Sequence, residues 1–456
     1  METLKSSDIN PTRQNTHIKV EEHRPPFINP VSKAQEPNFP IRTTVVGQIS
    51  KKLFEILFYL HLILIAILIV FFTIHGILFA NRTHLFQPLK WYPPLLTSTA
   101  CAGIVAFIWQ RVTVCNTSKA IRAAFWLSPL LTCAVGVLFF YIGSAGSLAA
   151  AAVAGVSVIT QSLYGRWVSP RFGYATRVLS VSVANPPSKT MVLTFSSIFT
   201  SILYSCFVIS GIGGVTAERT KLGVLFILVF LLSLAWTMQV MKNVVQVMIS
   251  QVKYMQFSSE TDTRVAFHDT IKHLMGSVCI GSILVPILGL IRGSARAMSQ
   301  VAGDTDEFLF SCANCYKGVA SILITYGNRW GFVYVGVYNK GFVQASSDTW
   351  EMFRRVGLEE LIDSDLTGSF CFLCGVTGGA ISSLLSGIWT LAVHKSYATE
   401  LSVYGFFIGY FMTRLAMAWP QACVSAYYVA YAENPQSAQF DSTIPVRLEE
   451  LQRSQA

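Results

Sequence analysis

Charge is scarce in this sequence. Asp, Glu, Lys and Arg make up 13% of its 456 residues, against roughly 25% in an ordinary soluble domain. The acids are the scarcer sign, 24 against 34 Lys and Arg, and few of them fall inside an apolar run. Enzyme signatures are missing as well: the chain has no P-loop, no G-x-S-x-G and no H-E-x-x-H. No histidine–carboxylate–nucleophile set stands on plausible neighbouring ends. These absences argue against an enzyme and against ATP-driven pumping, and they call for no cofactor. The N-terminal stretch lacks the apolar core of a cleavable signal peptide, so the first span is expected to direct insertion itself.

What the chain has instead is apolar side chain, 52% of the total. One soluble core of this size could not hide it. Several runs reach the ~20 residues that cross a bilayer as a helix. The expected fold class is all-α, a polytopic membrane helix bundle of about ten spans in contact with the lipid bilayer. Residues 1–50 carry Pro11, Pro25, Pro26, Pro30, Pro37 and Pro40 without a periodic apolar face. They read as a disordered tail. The transmembrane domain is expected over 51–431 and a polar C-terminal tail over 432–456. The spans are placed at about 53–80, 92–109, 122–142, 147–164, 191–214, 222–247, 274–291, 370–393 and 401–428, with an eighth between 308 and 338. A basic linker occupies 165–189. His61 and His75 fall in the first span, as proton relays or as satisfied polar side chains.

The net charge of +10 would suit nucleic acid, but its basic residues lie in short loops, which is a topology signal. An even number of spans puts both termini on one side. With that side cytoplasmic, the inner loops carry Arg111, Lys119, Arg122, Arg166, Arg171, Arg177, Lys189, Lys253, Arg264, Lys272, Lys340, Arg354 and Arg355. The outer loops carry only Arg82, Lys90, Arg219, Lys221, Arg292, Arg296 and Lys395. The imbalance predicts cytoplasmic termini. The sequon at Asn81 then lies outside, so glycosylation is possible there, and the one at Asn116 lies inside and is silent. Of the 10 cysteines, Cys312/Cys315 and Cys371/Cys374 have C-x-x-C spacing. The second pair sits within an apolar run, so no metal site is expected.

Two stretches could carry chemistry. In the first, Tyr326, Trp330, Tyr334 and Tyr338 recur every four residues, with Gly327, Gly331, Gly336 and Gly341 between them. On one helix those rings form a ridge. It is either an aromatic wall for an organic cation or packing between helices. The acidic cluster Asp304, Asp306 and Glu307 precedes it, as a cation-concentrating entrance or a helix N-terminus. In the second, Trp236, Gln239, Asn243 and Gln246 share one helix face. Polar side chains in hydrocarbon need partners or water, so this stripe points inward, to a substrate path or a hydrogen-bonded seam. The pairs Gly375/Gly379 and Gly405/Gly409 have GxxxG spacing and indicate close packing.

Three blocks together resemble the choline transporter-like family, also called the plasma-membrane choline transporter family. They are W-T-M-Q-V-M-K-N-V-V at 236–245, H-L-M-G-S-V-C-I-G-S at 273–282, and the C-A-N-C pair at 312–315 followed by Y-G-N-R-W-G-F-V-Y-V-G-V-Y-N-K-G-F-V-Q-A-S at 326–346. The resemblance covers about 50–430, and the wording of 290–365 is most like that of plant members. The large glycosylated loop of animal members after the first span is absent. The resemblance implies sodium-independent carriage of choline, and for some members ethanolamine, at the plasma membrane, with the Golgi or another secretory membrane as the alternative. Trp236, Trp330, Tyr334 and Tyr338 are then expected to surround the cation, and Gln239, Asn243 and Asn328 to hold its hydroxyl or fix the helices. Facilitative carriage, with or without proton coupling, is the expected mode. The alternative function is a non-transporting endomembrane scaffold or trafficking protein of the same fold.

Overall fold

A computed structural model describes residues 45–83, 86–186, 189–218, 222–256, 263–302, 307–437 and 440–455. The expectation for residues 1–44 lies outside the described residues. The chain runs α1 Val45–Thr83, α2 Pro88–Cys115, α3 Thr117–Ile142, α4 Ala145–Val168, α5 Phe172–Val183 and α6 Thr190–Glu218. There follow α7 Gly223–Met255, α8 Thr263–Asp269, α9 Met275–Ala302, α10 Glu307–Tyr326, α11 Gly331–Tyr338 and α12 Phe342–Val356. The last five are α13 Glu359–Asp363, α14 Thr367–Val393, α15 Ala398–Ala416, α16 Ala418–Glu433 and α17 Thr443–Gln455. No strand occurs among the described residues.

Nine stretches among the described residues are long and apolar enough to cross a membrane, and they match nine of the expected spans. The expected eighth span, between 308 and 338, falls on α10 and α11, which are not among those nine. Lys51, near the start of α1, backs onto Gly276 at the start of α9, and its Nζ donates to the carbonyl of Asn339 at 3.5 Å. The chain therefore leaves this face along α9 and is back on it at Asn339. Tyr316 of α10 bonds Ser294 of α9 at 2.9 Å, as two arms of one hairpin.

The outer helices explain the apolar excess. On α1, Leu53, Ile56, Ile63, Ile67, Phe71 and Ile74 are each more than half exposed. Such a strip is untenable in water and ordinary against lipid. The same holds for Val153, Val156, Ile159 and Leu163 of α4. The interior is α7, α11, α14, α15 and α16. The two GxxxG repeats meet there. A Cβ at Gly379 would lie 2.8 Å from the Phe406 carbonyl oxygen, and one at Gly405 would lie 2.9 Å from that of Ser382. Only hydrogen fits between those backbones.

Two expectations are corrected and one is extended. The linker 165–189 is mostly helix. Within α5, Ala175, Val178, Leu179, Ser182 and Val183 are buried at helical spacing, while its basic residues disguise the period. The last span is two helices, because Pro420 has no N–H for the Ala416 carbonyl and the chain bends at Met417. The tail 432–456 contains α17. Its start is tied by Asp441, which accepts from Tyr427 at 2.7 Å and Thr443 at 2.5 Å.

Burial alone would raise the Asp441 carboxyl, but bonds from Thr443 and Tyr427 prevail and hold it below the ordinary value of 3.8. A depressed carboxylate stabilises the fold above its unfolded value and loses that contribution as pH falls through the folded one. The protection of amides over 443–455, taken relative to the intrinsic exchange rate at each pH, should therefore hold at neutral pH and fall only below 3.8. Equal protection in Asp441→Asn would show that the carboxylate does not hold α17. In the bundle, Gly405→Val should lower stability by about 1–3 kcal/mol in a detergent melting curve. Gly155→Ala, where nothing lies within 4 Å of the added carbon, should not.

Candidate functional site

The site is built around an interruption. After Tyr326 the helix stops, and Gly327 to Trp330 form a short connection before α11. The aromatic repeat thus does not make one continuous ridge. Trp330 and Tyr334 are 5% and 8% exposed, whereas Tyr326 and Tyr338 are 50% and 44% exposed. Asn328 fills the break. Its amide nitrogen donates to the carbonyls of Ser346 at 2.8 Å and Ile324 at 3.3 Å, and its amide oxygen accepts from the Gly331 N–H at 3.0 Å. One side chain serves the end of α10, the start of α11 and the neighbouring α12. Gly331 is needed because a Cβ there would meet the Ser346 backbone at 2.9 Å.

The α7 stripe faces this break. Asn243 donates to Ser282 of α9 at 2.9 Å, and Gln246 donates to the Arg329 carbonyl at 3.4 Å. Asn243 and Gln246 are fully buried, while Gln239 and Trp236 are half-buried. Trp236 turns toward α1, with its ring 4.7 Å from His61 and 5.5 Å from Phe58. Trp330 packs edge-on against Phe353 at 6.0 Å, and the Arg329 guanidinium lies 4.5 Å from its ring centre. The indole N–H groups of both tryptophans are buried without a partner among the described residues.

Tyr334 and Tyr338 belong to a second cluster, at the face shared by the start of α1 and the end of α7, which Tyr326 does not join. Tyr334 and Tyr338 have ring centres 4.8 Å apart. The Lys340 ammonium lies 5.5 and 5.7 Å from those two centres and 2.6 Å from the Asp348 carboxylate. Tyr338 donates to Glu433 at 3.1 Å, and Tyr254 at the end of α7 donates to the same carboxylate. Phenol faces and a carboxylate together favour a cation here.

Sequence reasoning passed over several of these groups. Glu433 ends α16 and looks like the first acid of a polar tail. Asp365 precedes α14; its side chain is 2% exposed and pairs with Arg329, whose side chain is 14% exposed. Asp365 also accepts from the Thr367 N–H at 3.2 Å and hydroxyl at 2.7 Å. Lys242 is a charge in the middle of an apolar run and is 4% exposed. His75 has a carboxylate neighbour only in three dimensions, Glu218 at 3.4 Å.

Asp304 and Asp306 lie outside the described residues, and of Glu307 only its place at the start of α10 is described. Cys371 and Cys374 are buried free thiols. Two cavities, of about 540 and 210 Å³, open at the α2–α3 junction beside α5 and between α5 and α17, away from the aromatic groups.

Removing one member of the Arg329–Asp365 pair strands the other in a place with little water. Asp365→Asn is expected to cost about 3–5 kcal/mol in thermal unfolding. Adding Arg329→Gln should recover most of it. Additive losses would mean that the two groups act independently.

Residues 112–436 match the family described as plasma-membrane choline transporter. The Protein PNS1 of Debaryomyces hansenii is 25% identical over 263 residues, covering 53% of this chain and 50% of that protein. The Protein PNS1 of Mycosarcoma maydis is 25% identical over 240 residues, covering 49% and 45%. The Protein PNS1 of Yarrowia lipolytica is 29% identical over 143 residues, covering 29% and 25%. The matched stretches thus span half or less of these relatives' own lengths. With a helical bundle whose apolar faces turn outward and a match over most of its length, this multi-pass membrane protein belongs to the plasma-membrane choline transporter family.

Proposed function

We propose that the chain is a facilitative carrier of choline or a related small organic amine such as ethanolamine, acting at the plasma membrane with both termini cytoplasmic. One observation carries the reading: the Tyr334–Tyr338 pair already seats an ammonium, that of Lys340. A mobile ammonium would find the same ring faces, with Glu433 and Asp348 to balance its charge. This cluster would be the mouth of the path on the side of the termini. Trp236, Gln239, Asn243, Asn328 and Trp330 would line it further in, and Asp304, Asp306 and Glu307 would draw cations to the opposite mouth. For Trp330 to offer its face, Arg329 must swing off the indole. Alternating access would use the two interruptions, at 327–330 and at Met417, as hinges.

Reconstituted protein should move labelled choline into liposomes that contain no other protein. Tyr338→Ala, Trp236→Ala and Trp330→Ala should each weaken apparent affinity about 2- to 30-fold, the range for one ring face at ~0.5–2 kcal/mol. Glu433→Gln should lower uptake as well. An imposed pH gradient shows whether protons are coupled. Full-length protein that is folded yet moves none of a panel of amines would favour the scaffold role instead.

A further inference from the structure

The chain fills the tyrosine seat with a cation of its own. Lys340 lies on the short link between α11 and α12, next to Asn339, whose backbone is left-handed with φ 50°. Its ammonium stands 5.5 and 5.7 Å from the Tyr334 and Tyr338 ring centres, within the ~6 Å reach of a cation–π contact. Those centres are 4.8 Å apart, so one cation fills the faces they share. The same ammonium meets the Asp348 carboxylate of α12 at 2.6 Å. Glu433 stands on the far side of Tyr338, accepting from it and from Tyr254. The cluster therefore holds two carboxylates, and Lys340 is the ammonium on its rings. The next lysine, Lys51, turns to the Asn339 carbonyl at 3.5 Å.

The Trp330 face is covered in the same way, by Arg329 with Asp365 as its carboxylate. The two pairs differ in how easily they part. The Asp365 side chain is 2% exposed, so separating that pair strands a buried charge. The Lys340 and Asp348 side chains are 21% and 25% exposed, and water can take over each of them. Lys340 is thus the cation that can leave. Once it has left, the carboxylates face the ring faces without it, and closing the bundle over them is costly unless another cation enters. A carrier that alternates access must close over its seat both loaded and empty.

We propose that Lys340 is a tethered stand-in for the cargo. It occupies the Tyr334–Tyr338 faces when no amine is bound, and it withdraws from them when one arrives. The proposal rests on the amine-carrier reading and adds what fills the seat between cargoes. Two consequences follow from the geometry. Lys340 competes with the amine, so apparent affinity is weakened by the fraction of time the lysine is seated. Lys340 also neutralises the empty seat, so the return of the unloaded carrier depends on it, whereas the loaded carrier reorients without it.

The first test uses the full-length parent protein in detergent and an amine-acetylating reagent, with peptide mass spectrometry as the readout. Choline has no N–H and does not consume the reagent. Rising choline, against potassium chloride at equal ionic strength, should raise acetylation of Lys340 about threefold or more and saturably. Lys395, exposed between α14 and α15, serves as the reference and should not respond. The second test uses liposomes. Lys340→Met should tighten the apparent affinity for choline about 3- to 10-fold. It should also slow net uptake into empty liposomes about threefold or more, while exchange into choline-loaded liposomes is kept. Lys340→Arg, which retains a cation, should keep both. A merely structural lysine would lower net uptake and exchange together, and that result overturns the proposal. Choline transport with flat Lys340 acetylation overturns it as well and leaves the carrier reading standing. Saturable displacement in a protein that carries nothing keeps the stand-in and removes the carrier reading. Neither transport nor displacement by any of the amines overturns both.

Discussion

Backbone groups inside a bilayer have no water to turn to, and that constraint organises the middle of this protein. Where α10 stops and α11 has not begun, the chain exposes carbonyls and N–H groups at depth. The Asn328 amide satisfies groups on three elements at once. Gln246 takes the next carbonyl, that of Arg329. Once the break is closed in this way, α12 can approach Gly331 closely, and Arg329 can be held over Trp330 and against Asp365. The aromatic cluster, the buried ion pair and the α7 seam all depend on the same interrupted helix.

The bundle was legible because its signal is coarse. Long apolar runs survive any error in their ends, and nine of them returned as helices of crossing length among the described residues. The glycine pairs on α14 and α15 were readable for the same reason, since at Gly379 and Gly405 any Cβ would run into the facing backbone. What could not be read was where a run stops being one helix. The spacing of Tyr326, Trp330, Tyr334 and Tyr338 fits an unbroken helix, yet Gly327 and Asn328 in its midst are helix-ending residues whose side-chain bonds replace the lost turn. Pro420 carried the equivalent warning in the last span.

The candidate site was legible in its residue types and less so in its partners. An amide stripe on α7 was expected to face inward; Asn243 and Gln246 are buried and bonded, and Gln239 is half-buried. Its closest charged companion, Lys242, lies inside the same run, where mean composition hides a single residue. Glu433 and Asp365 come from stretches distant in sequence, and nothing in local periodicity links them to Tyr338 or Arg329. Tertiary proximity, unlike amphipathic spacing, leaves no period to detect.

The C-terminal segment has one further consequence. Glu433 receives phenols from α7 and α11, and Asp441, a short loop later, receives Tyr427 from the preceding helix. That loop is therefore moored at both ends, and α17 lies against α5 and α13. A tether fused beyond α17 would pull on a docked rod, and the strain would arrive first at Asp441 and only then at the carboxylate that the tyrosines share.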